Sequence, residues 1–200
     1  MPGGESVFQF LQKCNKKFAE FFGTFNPQPT LSFGVTICYH KFPLYEALED
    51  SQHMLFDIAK KKRDCTAVHL QKHAGQSEGL LIPNKDLETV SNFLKDHIMS
   101  ADSDWIHSVH HKLYTFRHLF IRAGKDTTLA KNLMANTFDA DSHQSNAFVE
   151  EHLPEFYRKL QTEMNIEVIG NEKEKDIVDA MCYLLRILKF FVEKGGEEHD

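Results

Sequence analysis

After Pro83 the chain carries almost no β-strand signal, whereas before it two or three strands are legible, and this asymmetry restricts the fold more than any other feature. Leu31 to Cys38 (LSFGVTIC) alternates apolar and small residues and is rich in β-branched types, which predicts a strand buried on at least one face. Cys65 to Leu70 predicts a second strand, and Gly79 to Ile82 returns as its hairpin partner across a turn near Ala74-Gly75 before Pro83 stops it. Upstream, Val7, Leu11, Cys14, Phe18 and Phe21 recur at spacings of four and three, one face of an amphipathic helix with Ser6 as N-cap and Gly23 as stop. Asn26-Pro27-Gln28-Pro29 interrupts regular structure, and a further helix fits Leu44 to about Lys62, with Leu48, Met54, Leu55, Ile58 and Ala59 inward.

Beyond Pro83 the periodicity is helical, over roughly 85–98, 103–123, 127–137, 147–164 and 172–194. Ile106, Val109, Leu113, Phe116 and Phe120 form one stripe, and Ile177, Met181, Leu184, Leu188 and Phe191 another; both read as bundle core. Pro154 should start or kink its helix, and Glu167-Val168-Ile169 is too short to form a sheet alone. The expected organisation is α+β: a small α+β domain of two or three strands with helices over 1–83, which looks like part of a larger domain, then an all-α bundle over 84–200. A sheet that small leaves an edge open, which predicts poor behaviour in isolation.

Composition narrows the function. With 42% hydrophobic and 26% charged residues the chain is neither disordered nor collagen-like. No apolar run approaches the ~20 residues that cross a bilayer, and Met1-Pro2-Gly3-Gly4-Glu5 lacks the segments of a signal peptide, so the expectation is a cytoplasmic protein with no membrane partner. Cys14, Cys38, Cys65 and Cys182 contain no C-x-x-C pair and read as buried or idle thiols. Acidic and basic residues balance over 1–100, so the whole net charge of −6 sits in the second half, a surface better suited to protein docking than to a phosphate backbone.

Three groups of residues invite chemical readings. Gly3-Gly4-Glu5-Ser6 echoes the G-G-D-D hairpin whose adjacent carboxylates hold two metal ions, but it supplies one carboxylate and runs into a helix, where such a turn should precede a strand. Asp104, His107, His111 and His118 can share a helical face, and i, i+4 histidines can chelate zinc; with 12 histidines in the chain and no H-E-x-x-H context, a solvated face explains them. Lys60-Lys61-Lys62-Arg63 is the one compact basic run, suited either to phosphate or to a helix C-terminus. No catalytic residue and no metal site is assigned.

Taken together, Thr30-Leu31-Ser32-Phe33-Gly34-Val35-Thr36-Ile37, Tyr39-His40-Lys41, Pro43-Leu44, Ala59-Lys60 and Arg63-Asp64 resemble the second palm domain of the large, polymerase/cyclase-type subunit of type III CRISPR RNA-guided effector complexes. In that family an S-A-G-I-like strand ends in an H-Y-K-x-P-L-like loop, a helix ends in A-K, and a strand begins near R-D-A; here Phe33 replaces the usual small residue. The helical half resembles the family's C-terminal helical domain. The resemblance implies a ferredoxin-like palm that, complete, uses a G-G-D-D hairpin, ATP and divalent metal to make cyclic oligoadenylate in antiviral defence. It also implies nucleotide contacts from Ser32, His40, Lys41, Lys60 and Arg63.

The true hairpin should lie further upstream of the strand than Gly3-Gly4 does, and the first palm and nuclease domains are missing. The expectation is therefore a large-subunit fragment that binds no cofactor alone, is inactive alone, and contributes to assembly. Its partners would be the small subunits and the crRNA-end-binding subunit, with crRNA and target RNA contacted indirectly. The rival is an autonomous enzyme: a minimal nucleotide cyclase using Glu5, or a metal hydrolase using His107 and His111.

Overall fold

The computed structural model describes residues 3–71, 79–98, 103–123, 126–138, 151–170 and 177–196. The fold is α+β, with one four-stranded sheet among the described residues, and the chain divides into two compact units. The first takes residues 3–91 and a segment that begins at Asn165; the second takes residues 92–164 and the C-terminal helix.

In the first unit, helix α1 (Gly3–Phe22) precedes strand β1 (Phe33–Cys38). The helix starts at Gly3, so Ser6 lies inside it instead of capping it. Its buried stripe is also displaced from the expected one: Phe8 and Leu11 are buried, whereas Val7 and Phe21 are exposed. Both stripes are apolar, and placing Phe8 inward in place of Val7 removes more apolar surface from water. At the end of α1 and just beyond it, Phe18, Phe22 and Phe25 stand ring against ring, with centroids 4.5 and 5.5 Å apart.

Helix α2 (Leu44–His53) continues without interruption through a π-helical stretch, Met54–Ala59, into the short α3 (Lys60–Lys62). The chain then enters β2 (Cys65–Gln71), which lies parallel to β1 in the register Phe33↔Thr66 to Cys38↔Gln71. Strand β3 (Gly79–Pro83) returns antiparallel to β2, as the apolar runs predict; the turn expected near Ala74-Gly75 lies outside the described residues. The fourth strand, β4 (Glu167–Ile169), pairs antiparallel with β3. Too short to stand alone, it is completed by a ready-made edge, a long-range pairing that local pattern cannot reveal. The strand order is β1-β2-β3-β4, so β1 and β4 are the edges.

The α2 side of the sheet is set by a glycine. A Cβ on Gly34 would lie 2.5 Å from the Leu55 backbone nitrogen and 2.8 Å from Leu55 Cβ, and closer still to the Ser51 carbonyl, so the helix crosses directly over it. By strand alternation Thr36 and Cys38 share that face, and the register puts Ala67 beside Gly34 and His69 beside Thr36. Met54, Ala59, Cys65, Ala67 and Leu81 close the core there, with Ile58 and Ile169 at its margin.

Helix α4 (Leu87–Ile98) begins in the first unit and ends in the second, which contains α5 (Ser103–Thr115), α6 (Arg117–Ala123), α7 (Thr127–Thr137), α8 (Leu153–Thr162) and α9 (Ile177–Gly196). The helix expected over 103–123 is two helices. At Phe116 the bonding tightens, with Leu119 N–H donating to the Phe116 carbonyl at 2.9 Å, and Phe116 turns partly outward while Phe120 stays buried. Met181, Leu184 and Leu188 of α9 are fully buried, as their spacing predicts. An Arg117–Asp179 ion pair at 2.8 Å ties α6 to α9. Asp126 caps α7 by accepting from Leu129 N–H, and Pro154 sits in the first turn of α8. No described helix is long and apolar enough to cross a membrane.

Candidate phosphate-binding turn

The residues singled out from sequence fall at two ends of β1. Ser32, Lys60 and Arg63 gather where α3 hands over to β2. The Ala59 carbonyl accepts from Arg63 N–H at 2.9 Å and from the Ser32 hydroxyl at 3.5 Å, so one carbonyl joins the strand entrance to the helix exit. His40 and Lys41 follow the other end of the strand, separated from Ser32 by its length of roughly 17 Å. There the His40 ring lies against Tyr39, centroids 4.2 Å apart, and both His40 and Lys41 are exposed. One compact ligand cannot touch both groups.

Within the basic run the four cations are not equivalent. Lys60 lies over the Phe56 ring at 4.4 Å, Lys61 is 3.8 Å from Asp57, and Lys62 pairs with Glu167 of β4 at 3.0 Å. Arg63 is exposed and has no side-chain partner among the described residues. Its backbone is unusual: φ is 61° and ψ 154°, and Asp64 follows with φ 49°. Two consecutive non-glycine residues in the left-handed half of conformational space cost on the order of 1–3 kcal/mol each, so neighbouring structure must impose the turn.

A second polar cluster, which sequence reasoning missed, lies under α2. Asp50 Oδ2 accepts a hydrogen bond from the Thr36 hydroxyl at 2.5 Å and lies 2.7 Å from His69 Nδ1. His69 is buried, between the apolar Val68 and Leu70 of β2. Burial by itself pushes the Asp50 carboxyl up, but the bonds from His69 and Thr36 and the charges of His69 and His53 outweigh it, leaving Asp50 below its ordinary value. Burial and then the Asp50 charge push the Cys38 thiol up, so it is not an activated nucleophile. Cys65 is raised as well, chiefly by burial. The cluster pins α2 to β1 and β2. The available signal was His69 itself, a polar residue inside a run of buried apolar ones.

The remaining candidates are placed as follows. Gly3, Gly4, Glu5 and Ser6 form the first turn of α1, so the backbone there is helix and not a strand hairpin. His107 and His111 are exposed on α5, and His118 falls on α6, past the break at Phe116. Among the described residues no three His, Cys, Asp or Glu side chains are grouped to hold a metal ion.

Residues 3–67, about a third of the chain, match the family described as Cas10/Cmr2, second palm domain. The match includes α1, β1, α2 and the Arg63 turn, and ends inside β2. No curated protein and no solved structure matches the chain.

Proposed function

Because residues 3–67 match the second palm domain of Cas10/Cmr2, the large subunit of type III CRISPR effector complexes, we propose that this chain is a palm-bearing component of such a complex, inactive by itself. Its first unit contributes part of a nucleotide-binding palm. Ser32, Lys60 and Arg63 form the triphosphate end of that site, and His40 with Lys41 serve a separate contact beyond the far end of β1. ATP and a divalent ion are the ligands of the completed site. In the second unit, the helices dock on the small subunits lining crRNA and target RNA, in keeping with the net acidity of that half.

The family match carries this reading. Two features of the first unit support it. Strand β1 presents an edge of six uncharged residues, Phe33–Cys38, without proline, the kind of edge that proteins normally blunt or cover. Two adjacent carboxylates on a hairpin, the requirement for two-metal chemistry, are not offered by α1, which is helical from Gly3.

The test is reconstitution. Co-expressed with the crRNA-end-binding and small subunits and a guide RNA, the chain should co-elute with them at fixed stoichiometry. Incubated alone with ATP and Mg²⁺ or Mn²⁺, it should make no cyclic oligoadenylate. Nucleotide product from the isolated chain, abolished by Glu5→Gln, would replace this reading with an autonomous cyclase. Stoichiometric bound metal lost in His107→Ala would replace it with a metal hydrolase.

A further inference from the structure

Arg63 is the member of the basic run whose charge is not already used, and its backbone is held where arginine does not go unaided. The restraint comes from Asn84, which follows β3 and lies outside the family match. Asn84 is 5% exposed and engaged on every side. Its backbone N–H donates to the Asp64 carbonyl at 3.0 Å, and its side-chain Nδ2 donates to Asp64 Oδ1 and to the Leu31 carbonyl, both at 3.0 Å, with Asn15 Oδ1 further off at 3.4 Å. Its Oδ1 accepts from the buried Thr66 hydroxyl at 2.8 Å.

The chemistry of this arrangement is specific. Asn84 grips Asp64 at both backbone and side chain, so the left-handed turn is fixed from its second residue. The same contact engages the Asp64 carboxylate, which otherwise sits next to Arg63 and could neutralise it. By holding Leu31 as well, Asn84 fixes the approach to Ser32 at the entrance of β1. A glycine at position 63 would adopt φ 61° without cost; an arginine there makes sense if its planar fork is being presented to something. A guanidinium fork matches two oxygens of a phosphate, and a phosphate chain is the anion that a neighbouring hydroxyl and lysine also serve.

We infer that Asn84 is a positioning residue: through Asp64 it locks the left-handed turn that presents Arg63 as the fork for the terminal phosphates of a nucleoside triphosphate. This rests on the proposed role of Arg63, and the experiment separates the two.

Affinity for ATP with Mg²⁺, and for inorganic tripolyphosphate as the base-free probe, is measured by calorimetry on the full chain reconstituted with its partner subunits and guide RNA, as wild type, Arg63→Ala, Asn84→Ala and the double variant. Arg63→Ala should weaken both ligands about tenfold or more. Asn84→Ala should weaken them nearly as much although Arg63 is still present, and the double variant should be no weaker than Arg63→Ala alone. Because Asn84 is buried, Asp64→Ala is the companion: it removes the acceptor from an exposed residue and should reproduce the loss. Asn84→Ala and Asp64→Ala at wild-type affinity, with Arg63→Ala weak, would overturn the inference and leave the role of Arg63 standing. Additive losses in the double variant would also overturn it. Wild-type affinity in Arg63→Ala, or no binding by the wild-type complex at millimolar ligand, would overturn the role of Arg63 and the inference with it.

Discussion

Replacing Gly34 by alanine should separate α2 from the sheet. The added Cβ would stand 2.5 Å from the Leu55 nitrogen and 2.8 Å from its Cβ, and closer to the Ser51 carbonyl, where ordinary contact is about 3.5 Å. Two of the three obstacles are helix backbone, which cannot rotate aside as a long side chain can. The helix must therefore retreat by about 1 Å. Overpacking of this kind costs about 1–3 kcal/mol. The same retreat stretches both hydrogen bonds of Asp50, to Thr36 and to His69, each worth about 1 kcal/mol. The sum is about 3–5 kcal/mol in a unit of roughly 100 residues, a fall in Tm of about 15 °C or more. Urea unfolding followed by circular dichroism measures the loss, and the ¹⁵N shifts of the His69 ring report whether its bond to Asp50 survives. A Gly34→Ala protein within 1 kcal/mol of wild type, its His69 signals unchanged, would refute the reasoning that glycine is required by a backbone crossing.

Other outcomes follow from individual groups. Burial, and then the charge of His152, push His97 down to about 4 from an ordinary 6.5. A histidine with a lowered folded value stabilises fully above pH 6.5 and loses that contribution as pH falls toward 4, here about 3 kcal/mol; His97→Gln should flatten the stability profile over that window, and an unchanged slope would count against the assignment. Asp50→Ala should cost about 2–3 kcal/mol and Asp50→Asn less, since an amide oxygen still accepts from Thr36; denaturant midpoints of the two variants decide it. Because the Asp50 carboxyl is lowered in the folded state, its contribution is present above the ordinary carboxylate range and vanishes in acid. The exposed Lys62–Glu167 pair should matter little: Lys62→Ala should shift stability by under about 0.5 kcal/mol, and a larger loss would mean that β4 depends on it.

Local pattern made the strands legible because each is short and apolar between turn residues, and the S-F-G-V stretch carried the resemblance that the family match bears out for residues 3–67. What was not legible depended on partners distant in sequence. On α1 two adjacent stripes are apolar, so periodicity could not choose between Val7 and Phe8. The break at Phe116 leaves the 3.6-residue stripe nearly intact, so spacing does not register it. The Asp50, Thr36 and His69 cluster requires the parallel register of β1 and β2, which no single segment encodes. The Arg63 turn could be marked as basic but not as left-handed, since its restraint arrives from Asn84, twenty residues downstream of Asp64.

The route of β4 has a consequence for the chain on the ribosome. The first unit is interrupted after residue 91 and resumes at Asn165, and only then does Glu167–Ile169 reach the exposed flank of β3. At about 5–20 residues per second, translation of the intervening stretch takes roughly 4–15 s. Throughout that interval Gly79–Pro83, with a backbone flank awaiting its partner, emerges on a three-stranded intermediate. Nascent-chain quality control would meet this protein with two open flanks, and any copy released before Asn165 would keep both permanently.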